Sequence, residues 1–141
     1  MIKYILDTSV LIKWFSEYDE DDLDNAVNLR NKIFEGECSV IVPSLLFYEV
    51  ANALRYNTRF TNKDVKDAVK SIIDMTFEVR EVDKTILERA IEIAFKYNIS
   101  VYDAYFLSLS QIENMPFITA DYKFVDRVKG FKNIIKLSEI S

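Results

Sequence analysis

Four acidic residues stand where an apolar stretch of the chain ends or is interrupted. Asp7 directly follows the apolar run Ile2–Leu6, and Asp121 follows a second such run. Asp103 falls in the first turn of a predicted helix, and Glu49 is the charge in an otherwise apolar helical stretch. Four carboxylates facing one crevice would repel one another and could not all stay ionised in a partly dry site. A hard divalent cation removes that repulsion, and oxygen-only ligands select Mg²⁺ or Mn²⁺.

Each of these residues also has an ordinary structural explanation. Asp7 could cap the helix that follows it, and Asp121 could be a turn residue after its strand. Asp103 completes a Ser-x-x-Asp capping box with Ser100, and Glu49 could be a solvated helix residue. Taken singly, each signal is weak, so the inference depends on all four occurring together.

The residue types that are missing exclude several kinds of site. The chain has no histidine, which excludes a Ser-His-Asp triad, a His-assisted cysteine and a His-based zinc site. Cys38 is the only cysteine, which excludes an internal disulfide and any Cys-based zinc or iron–sulfur site. We expect this thiol to be buried in a strand. Any chemistry must therefore use carboxylates, hydroxyls, amides, Lys, Arg or Tyr, or a hard metal held by oxygens.

Length and composition favour one compact domain. The 141 residues are 50% hydrophobic and 29% charged, with only two Gly and two Pro, so helices and strands must be joined by short connections. We therefore expect a single domain over residues 1–141. No run approaches the ~20 apolar residues of a membrane span, and no secretory cleavage site follows the N-terminal stretch. We expect a cytoplasmic protein that does not bind membranes.

Short apolar runs alternate with helical patterns along the chain. The predicted strands cover residues 2–6, 38–42, 77–82, 117–119 and 133–137. The predicted helices cover residues 9–15 with Thr8 or Ser9 as the cap, then 19–34, 43–56, 62–73, 84–97, 101–112 and 121–128. This alternation predicts a mostly parallel sheet of four or five strands with helices on both faces. In such sheets the functional crevice lies beyond the carboxyl ends of the strands, where Asp7 and Asp121 should project.

The order and spacing of four short motifs resemble the PIN-domain family, and most closely the toxin ribonucleases of VapBC toxin–antitoxin pairs. The motifs are Ile5-Leu6-Asp7-Thr8-Ser9, Glu49-Val50-Ala51-Asn52-Ala53-Leu54, Tyr102-Asp103-Ala104 and Ile118-Thr119-Ala120-Asp121-Tyr122-Lys123-Phe124. The resemblance covers essentially the whole chain. It implies a three-layer α/β/α fold, Mg²⁺ or Mn²⁺ dependence, cleavage of single-stranded RNA, a cognate antitoxin as partner and a homodimer.

The resemblance also assigns site residues. The acidic positions of the family fall on Asp7, Glu49, Asp103 and Asp121, and its hydroxyl-bearing neighbours on Thr8, Ser9 and Thr119. We expect Asp7 and Asp103 to bind the metal directly or through water, with Asp121 completing the site. Glu49 would orient the attacking water or bind a second ion, and the sequence does not decide between these roles. Thr119 and Ser9 would support the ligands through hydrogen bonds.

The charge is unevenly distributed along the chain. The net charge is −5, of which the four site carboxylates supply −4. Residues 17–25 hold six acidic residues, and the favoured explanation is a solvated helix start. Residues 122–136 hold five basic residues and one acid. The side chains predicted to contact RNA phosphates beside Asp121 are Lys123, Arg127, Lys129 and Lys132. Alternatively, these charges only keep the C-terminal elements solvated.

Aromatic residues near the predicted site have two interpretations. Trp14, Phe15, Phe47 and Tyr48 fit a helix-packed core. By resemblance, an antitoxin segment could instead occupy an apolar groove near these helices, with a Lys or Arg reaching the acidic site. A dimer interface is a further use of the same side chains.

Other functions fit the sequence less well than a ribonuclease. A phosphoacceptor receiver domain needs paired acids near the end of its first strand, whereas Asp7 is followed by Thr8 and Ser9. A phosphatase with an Asp-x-Asp nucleophile is excluded because position 9 is Ser. An inactive PIN scaffold that only binds partners, and a related metal-dependent DNA nuclease, both remain open.

Overall fold

A computed structural model of the protein describes residues 1–15 and 21–140. The strands are β1 (Ile2–Leu6), β2 (Cys38–Pro43), β3 (Glu78–Arg80), β4 (Phe117–Thr119) and β5 (Ile134–Lys136). The α-helices are α1 (Thr8–Lys13), α2 (Leu23–Phe34), α3 (Leu45–Arg55), α4 (Asn62–Asp74), α5 (Lys84–Tyr97), α6 (Val101–Glu113) and α7 (Tyr122–Arg127). A short 3₁₀ turn over Leu137–Glu139 follows the last strand. Within the described residues, no helix is long and apolar enough to cross a membrane.

The described strands form one parallel sheet in the order β3-β2-β1-β4-β5. The chain moves outward from β1 through β2 to β3, then crosses back over the sheet to β4 and β5. Because parallel crossovers are right-handed, the two directions of travel put α1–α4 on one face and α5–α7 on the other. Contacts agree with this division, since α1 packs on α2 and α3, α3 on α4, and α5 on α6. The predicted three-layer α/β/α fold with a parallel sheet is confirmed.

The neighbouring strands β1 and β4 mark the point where the strand order reverses. From β1 the chain leaves toward one edge of the sheet, and from β4 it leaves toward the other. The two connections diverge there and open a crevice beyond the carboxyl ends of both strands. Asp7 and Asp121 lie in those two connections, so the fold places both at this crevice.

The core lies against both faces of the central strands. Ile5 and Leu6 at the end of β1 are fully buried, and the ring of Phe117 in β4 packs 5.8 Å from that of Phe106 in α6. Cys38 is buried in β2, as predicted.

The aromatic residues singled out in the sequence fall into two groups. The Trp14 indole N–H donates to the Ala26 carbonyl over 2.9 Å, and its ring packs on Phe77. Phe15 and Phe47 pack against the core, whereas Tyr48 on α3 is 76% exposed. The core interpretation therefore holds for all except Tyr48.

Some predicted element boundaries differ from the structure. The helix expected over residues 19–34 begins at Leu23, and positions 19 and 20 lie outside the described residues. The helix expected from Pro43 begins at Leu45, because Pro43 is the last residue of β2 and pairs with β3. The first helix begins at Thr8 with Asp7 at its N-cap position, so the prediction of Thr8 or Ser9 as the cap was wrong.

Candidate functional site

Asp7 occupies the junction between β1 and α1 but does not act as a helix cap. Its backbone N–H donates to the carbonyl of Ile118 over 2.9 Å, which continues the β1–β4 ladder past the end of the strand. Although Asp7 is at the N-cap position of α1, its side chain makes no capping hydrogen bond. Its Oδ2 accepts instead from the hydroxyls of Ser9 (2.6 Å) and Thr119 (2.9 Å). The capping explanation for this carboxylate is therefore wrong.

Two backbone N–H groups fix the direction of those hydroxyls. Ala120 N–H donates to Ser9 Oγ over 3.0 Å, and Asp121 N–H donates to Thr119 Oγ1 over 3.1 Å. Because each hydroxyl accepts from the backbone, each can direct its own proton to Asp7 Oδ2. Among the described residues, the hydrogen bonds to Asp7 thus converge on Oδ2 and leave Oδ1 for a ligand.

Asp121 combines a structural role with a position beside Asp7. Its Oδ1 accepts the backbone N–H of Phe124 over 3.1 Å and caps α7. This bond fixes the carboxylate at the start of α7, in the connection that leaves β4. The charge of Asp121 is close enough to raise the pKa of both Asp7 and Asp103.

Asp103 forms only half of the predicted capping box. Its backbone N–H donates to Ser100 Oγ over 3.0 Å, but its carboxylate does not return a bond to the Ser100 backbone. Burial raises the pKa of Asp103, and the Ser100 side chain lowers it. The charge of Asp121 raises that pKa as well, and the guanidinium of Arg127 lowers it. Asp121 and Arg127 are therefore within electrostatic range of the Asp103 carboxylate.

Glu49 reaches the same crevice from α3 and accepts a hydrogen bond from Thr8, one of the three hydroxyl residues that the family resemblance assigned to the site. Leu46, Val50 and Leu54 bury one face of the helix, and the Glu49 side chain is held at the border of that face. Thr8 Oγ1 donates to its Oε1 over 2.8 Å. Burial raises the pKa of Glu49 to about 7; the Thr8 bond opposes this, and the charge of Asp7 adds to it.

The four acidic residues thus influence one another from four separate elements. Burial is the largest cause of the raised pKa of Asp7, Glu49 and Asp103, and repulsion from neighbouring carboxylates adds to it in each. No three acidic side chains among the described residues lie close enough to enclose an ion directly. This spacing suits Mg²⁺, which keeps several waters and is held by only one or two carboxylates. The oxygen-only donor set and the unfavourable confinement of negative charge both fit a hard divalent cation.

The predicted basic residues do not all lie at this crevice. Lys123 and Arg127 are exposed on α7, which begins at Asp121. Lys132 precedes Asn133, whose carbonyl accepts from Phe117 N–H at the amino end of β4. Lys132 lines a separate cleft of about 510 Å³ with Arg89 and Lys96, near the amino ends of the strands.

Comparison with known proteins identifies the family of the chain. A sequence profile of the PIN domain matches residues 4–130, and the chain therefore belongs to the PIN domain family. A search of curated proteins found no match.

Solved structures with the same fold include three that cover nearly the whole chain. PAE2754 from Pyrobaculum aerophilum is 20% identical, with a TM-score of 0.66 over 97% of this chain and 90% of that one. A toxin–antitoxin complex from Klebsiella pneumoniae is 17% identical, with a TM-score of 0.68 over 97% and 99%. VapC20 from Mycobacterium tuberculosis, described as a sarcin–ricin loop cleaving toxin, is 16% identical, with a TM-score of 0.67 over 92% and 97%.

Proposed function

We propose that this protein is an Mg²⁺- or Mn²⁺-dependent endoribonuclease that cuts single-stranded RNA, and that it is the toxin of a toxin–antitoxin pair. One observation carries the nuclease assignment: carboxylates from four elements meet at the strand-order reversal, and the pKa values of Asp7, Glu49 and Asp103 are raised there. Membership of the PIN domain family supports it, as do solved structures of the same fold described as a toxin–antitoxin complex and as a sarcin–ricin loop cleaving toxin. A cognate antitoxin and a homodimer are parts of the same proposal.

The residues of the site have different roles in this proposal. Asp7 and Asp103 would hold the metal directly or through water, with Asp121 completing the set. A bound Mg²⁺ or Mn²⁺ supplies charge that neutralises the phosphoryl oxygens and makes a coordinated water more acidic. Ser9 and Thr119 keep Asp7 oriented through its Oδ2. Glu49, held by Thr8, is suited to accept the proton of the attacking water, because a base with a pKa near the working pH is the most effective.

The direct test is cleavage of labelled single-stranded RNA by the purified protein, with Mg²⁺ or Mn²⁺ against EDTA. We expect cutting that requires the metal and that Asp103→Asn abolishes while the protein stays folded. Single-stranded DNA of the same sequence distinguishes a ribonuclease from a DNA nuclease. Failure of well-folded protein to cut varied RNAs with either metal would leave an inactive scaffold as the better explanation. Expression of wild-type protein and Asp103→Asn in growing cells tests the toxin assignment, because only an active toxin should arrest growth.

Thr119 offers a test of how Asp7 is held. The side chain is fully buried, donates to Asp7 and accepts from Asp121 N–H. Thr119→Val keeps the shape but removes both bonds, so we expect metal affinity to fall about 10- to 100-fold. Metal titration of cleavage measures this, with Thr119→Ser as the control that keeps the hydroxyl. Equal metal affinity in Thr119→Val and wild type would contradict the assigned role.

Lys123 and Arg127 are the basic residues placed to contact the strand beside the acidic site. In the Lys123→Gln/Arg127→Gln double variant, we expect weaker RNA binding and a shallower dependence of log affinity on log salt concentration. The slope should fall by about 0.7 for each phosphate of a single strand that is no longer neutralised. Lys3→Gln is the matched control. Lys3 is exposed near the amino end of β1, whereas the acidic site lies beyond the carboxyl ends of the strands. An unchanged salt slope in the double variant would show that these charges only keep the surface solvated.

A further inference from the structure

An apolar cavity of about 190 Å³ opens next to the acidic site, between the starts of α3 and α6 and the end of β3. Its walls include Val82, Leu87 and the rings of Tyr102 and Tyr105, and its polar lining includes Ser44 and Arg80. Tyr102 immediately precedes Asp103 in the first turn of α6, and Ser44 precedes the helix that carries Glu49, so the cavity lies at the same carboxyl ends of the strands as the acidic site.

Packing within the fold does not explain why apolar side chains that line the cavity are exposed to solvent. The Tyr102 side chain is 63% exposed and that of Val82 is 75% exposed, although both line the cavity. A volume of 190 Å³ is below the ~300 Å³ at which pockets begin to hold a complete small ligand. The cavity therefore suits one ring system belonging to a larger molecule.

A nucleic acid strand offers phosphates, sugars and bases to such a surface, and of these the bases have the largest apolar faces. Its phosphates are charged and belong near cations, whereas its unpaired bases carry flat apolar faces that stack on aromatic side chains. When a phosphodiester lies at the carboxylates, the neighbouring bases extend to either side of them. The apolar cavity beside Asp103 then meets a base and not a phosphate.

One polar side chain of the cavity can meet the edge of a base. Ser44 is at the N-cap position of α3, yet its hydroxyl makes no capping bond to the helix. A hydroxyl can both donate and accept, which matches the mixed edges of nucleobases. The Arg80 guanidinium is directed away from the cavity, because Glu113 at the far end of α6 accepts from its Nε over 2.9 Å.

We propose that this cavity, the base pocket, holds an unpaired nucleobase of the bound strand next to the phosphodiester at the acidic site, with Tyr102 as the stacking platform. The identity of the ligand rests on the proposed function, but the base pocket can be tested without cleavage. It assigns Tyr102 to substrate binding and makes the surroundings of Asp103 the place where base preference arises.

The experiment compares binding of a short fluorescent oligoadenylate with that of an abasic ribose-phosphate oligomer of the same length. Protein carrying Asp7→Asn, kept in EDTA, binds without cutting, and fluorescence anisotropy measures affinity. We expect this protein to prefer the oligomer with bases. Adding Tyr102→Ala should weaken oligoadenylate binding on the order of tenfold and leave abasic binding unchanged. Tyr102→Phe should retain the preference. Tyr56→Ala is the matched control, because Tyr56 is 75% exposed at the far end of α3.

The possible outcomes distinguish the base pocket from other uses of this surface. Absence of base preference in the Asp7→Asn protein, or a preference that Tyr102→Ala leaves intact, overturns the inference. Sedimentation of the same variants tests the competing use of this surface. A change of assembly state on Tyr102→Ala with base preference intact would identify a protein–protein interface instead. If base preference depends on Tyr102 but wild-type protein cuts no RNA with either metal, the base pocket stands and the ribonuclease proposal fails.

Discussion

Asp7→Asn should abolish cleavage and at the same time make the metal-free protein more stable. In the metal-free state the Asp7 carboxylate is partly removed from water and feels the charges of Asp103 and Asp121, and both effects raise its pKa. An amide has no charge to desolvate or repel, and its oxygen can still accept from Ser9 and Thr119. Loss of a proposed metal ligand should lower metal affinity and activity by more than the about 10- to 100-fold that is typical when an outer partner of a ligand is lost.

The two halves of this prediction are measured on the same protein samples. Thermal unfolding in EDTA should show a higher midpoint for Asp7→Asn than for wild type, and added Mg²⁺ or Mn²⁺ should stabilise only the wild type. Asp126→Asn is the control, because Asp126 is an exposed acid on the neighbouring helix α7. A lower midpoint for Asp7→Asn, in parallel with lost activity, would mean that Asp7 is mainly structural.

The stability of the metal-free protein should fall as pH rises from about 4.5 to about 7. When folding raises the pKa of a carboxyl group, the folded state binds more protons than the unfolded state between the two pKa values. Raising the pH over that interval therefore favours unfolding. Glu49, with a pKa raised from 4.5 to about 7, defines that interval, and Asp7 and Asp103 act in the same direction. The Glu49 contribution is roughly 1–2 kcal/mol once solvent screening of this partly exposed group is allowed for.

Metal should reverse this dependence, because a cation binds the charged carboxylates and not the protonated ones. Urea unfolding across this pH range, in EDTA and in excess Mg²⁺, measures both effects. Glu49→Gln should flatten the profile in EDTA, whereas Glu35→Gln, which removes an exposed acid after α2, should leave it unchanged. A metal-free protein that becomes more stable with rising pH over this interval would contradict the electrostatics of the site.

The sequence predicted the elements of the fold better than their exact ends. The alternation of apolar runs with helical patterns was enough to predict the strands at Ile2–Leu6 and Phe117–Thr119 and all but the last residue of β2, because the central strands of a parallel sheet are short and mostly apolar. Pro43 was assigned to a helix because proline often begins one, but pairing with β3 keeps it in a strand. Tertiary pairing of this kind is not visible in a local pattern.

The candidate site was predictable as a set of residue types at strand ends, but its hydrogen bonds were not. Local rules suggested that Asp7 caps α1, yet Thr119, 112 positions away, draws its carboxylate to the β4 side. The donation from Thr8 to Glu49 likewise joins residues 41 positions apart. The contact to Asp7 depends on β4 pairing with β1, and the contact to Glu49 depends on α3 packing against α1. The exposure of Tyr102 could not be predicted from the sequence either, because an aromatic residue in a largely apolar helix normally indicates a core position.

The pairing of β1 with β4 also bears on the order of events during synthesis. Asp7 leaves the ribosome before β2, and β1 can pair with β2 as soon as β2 has emerged. Thr119, which orients Asp7, follows it by 112 positions, and Asp121 comes next but one. A nascent chain therefore carries Asp7 over that whole interval without the partners that complete its surroundings. For a protein proposed to cut RNA, the acidic site is assembled only after β4 has been made.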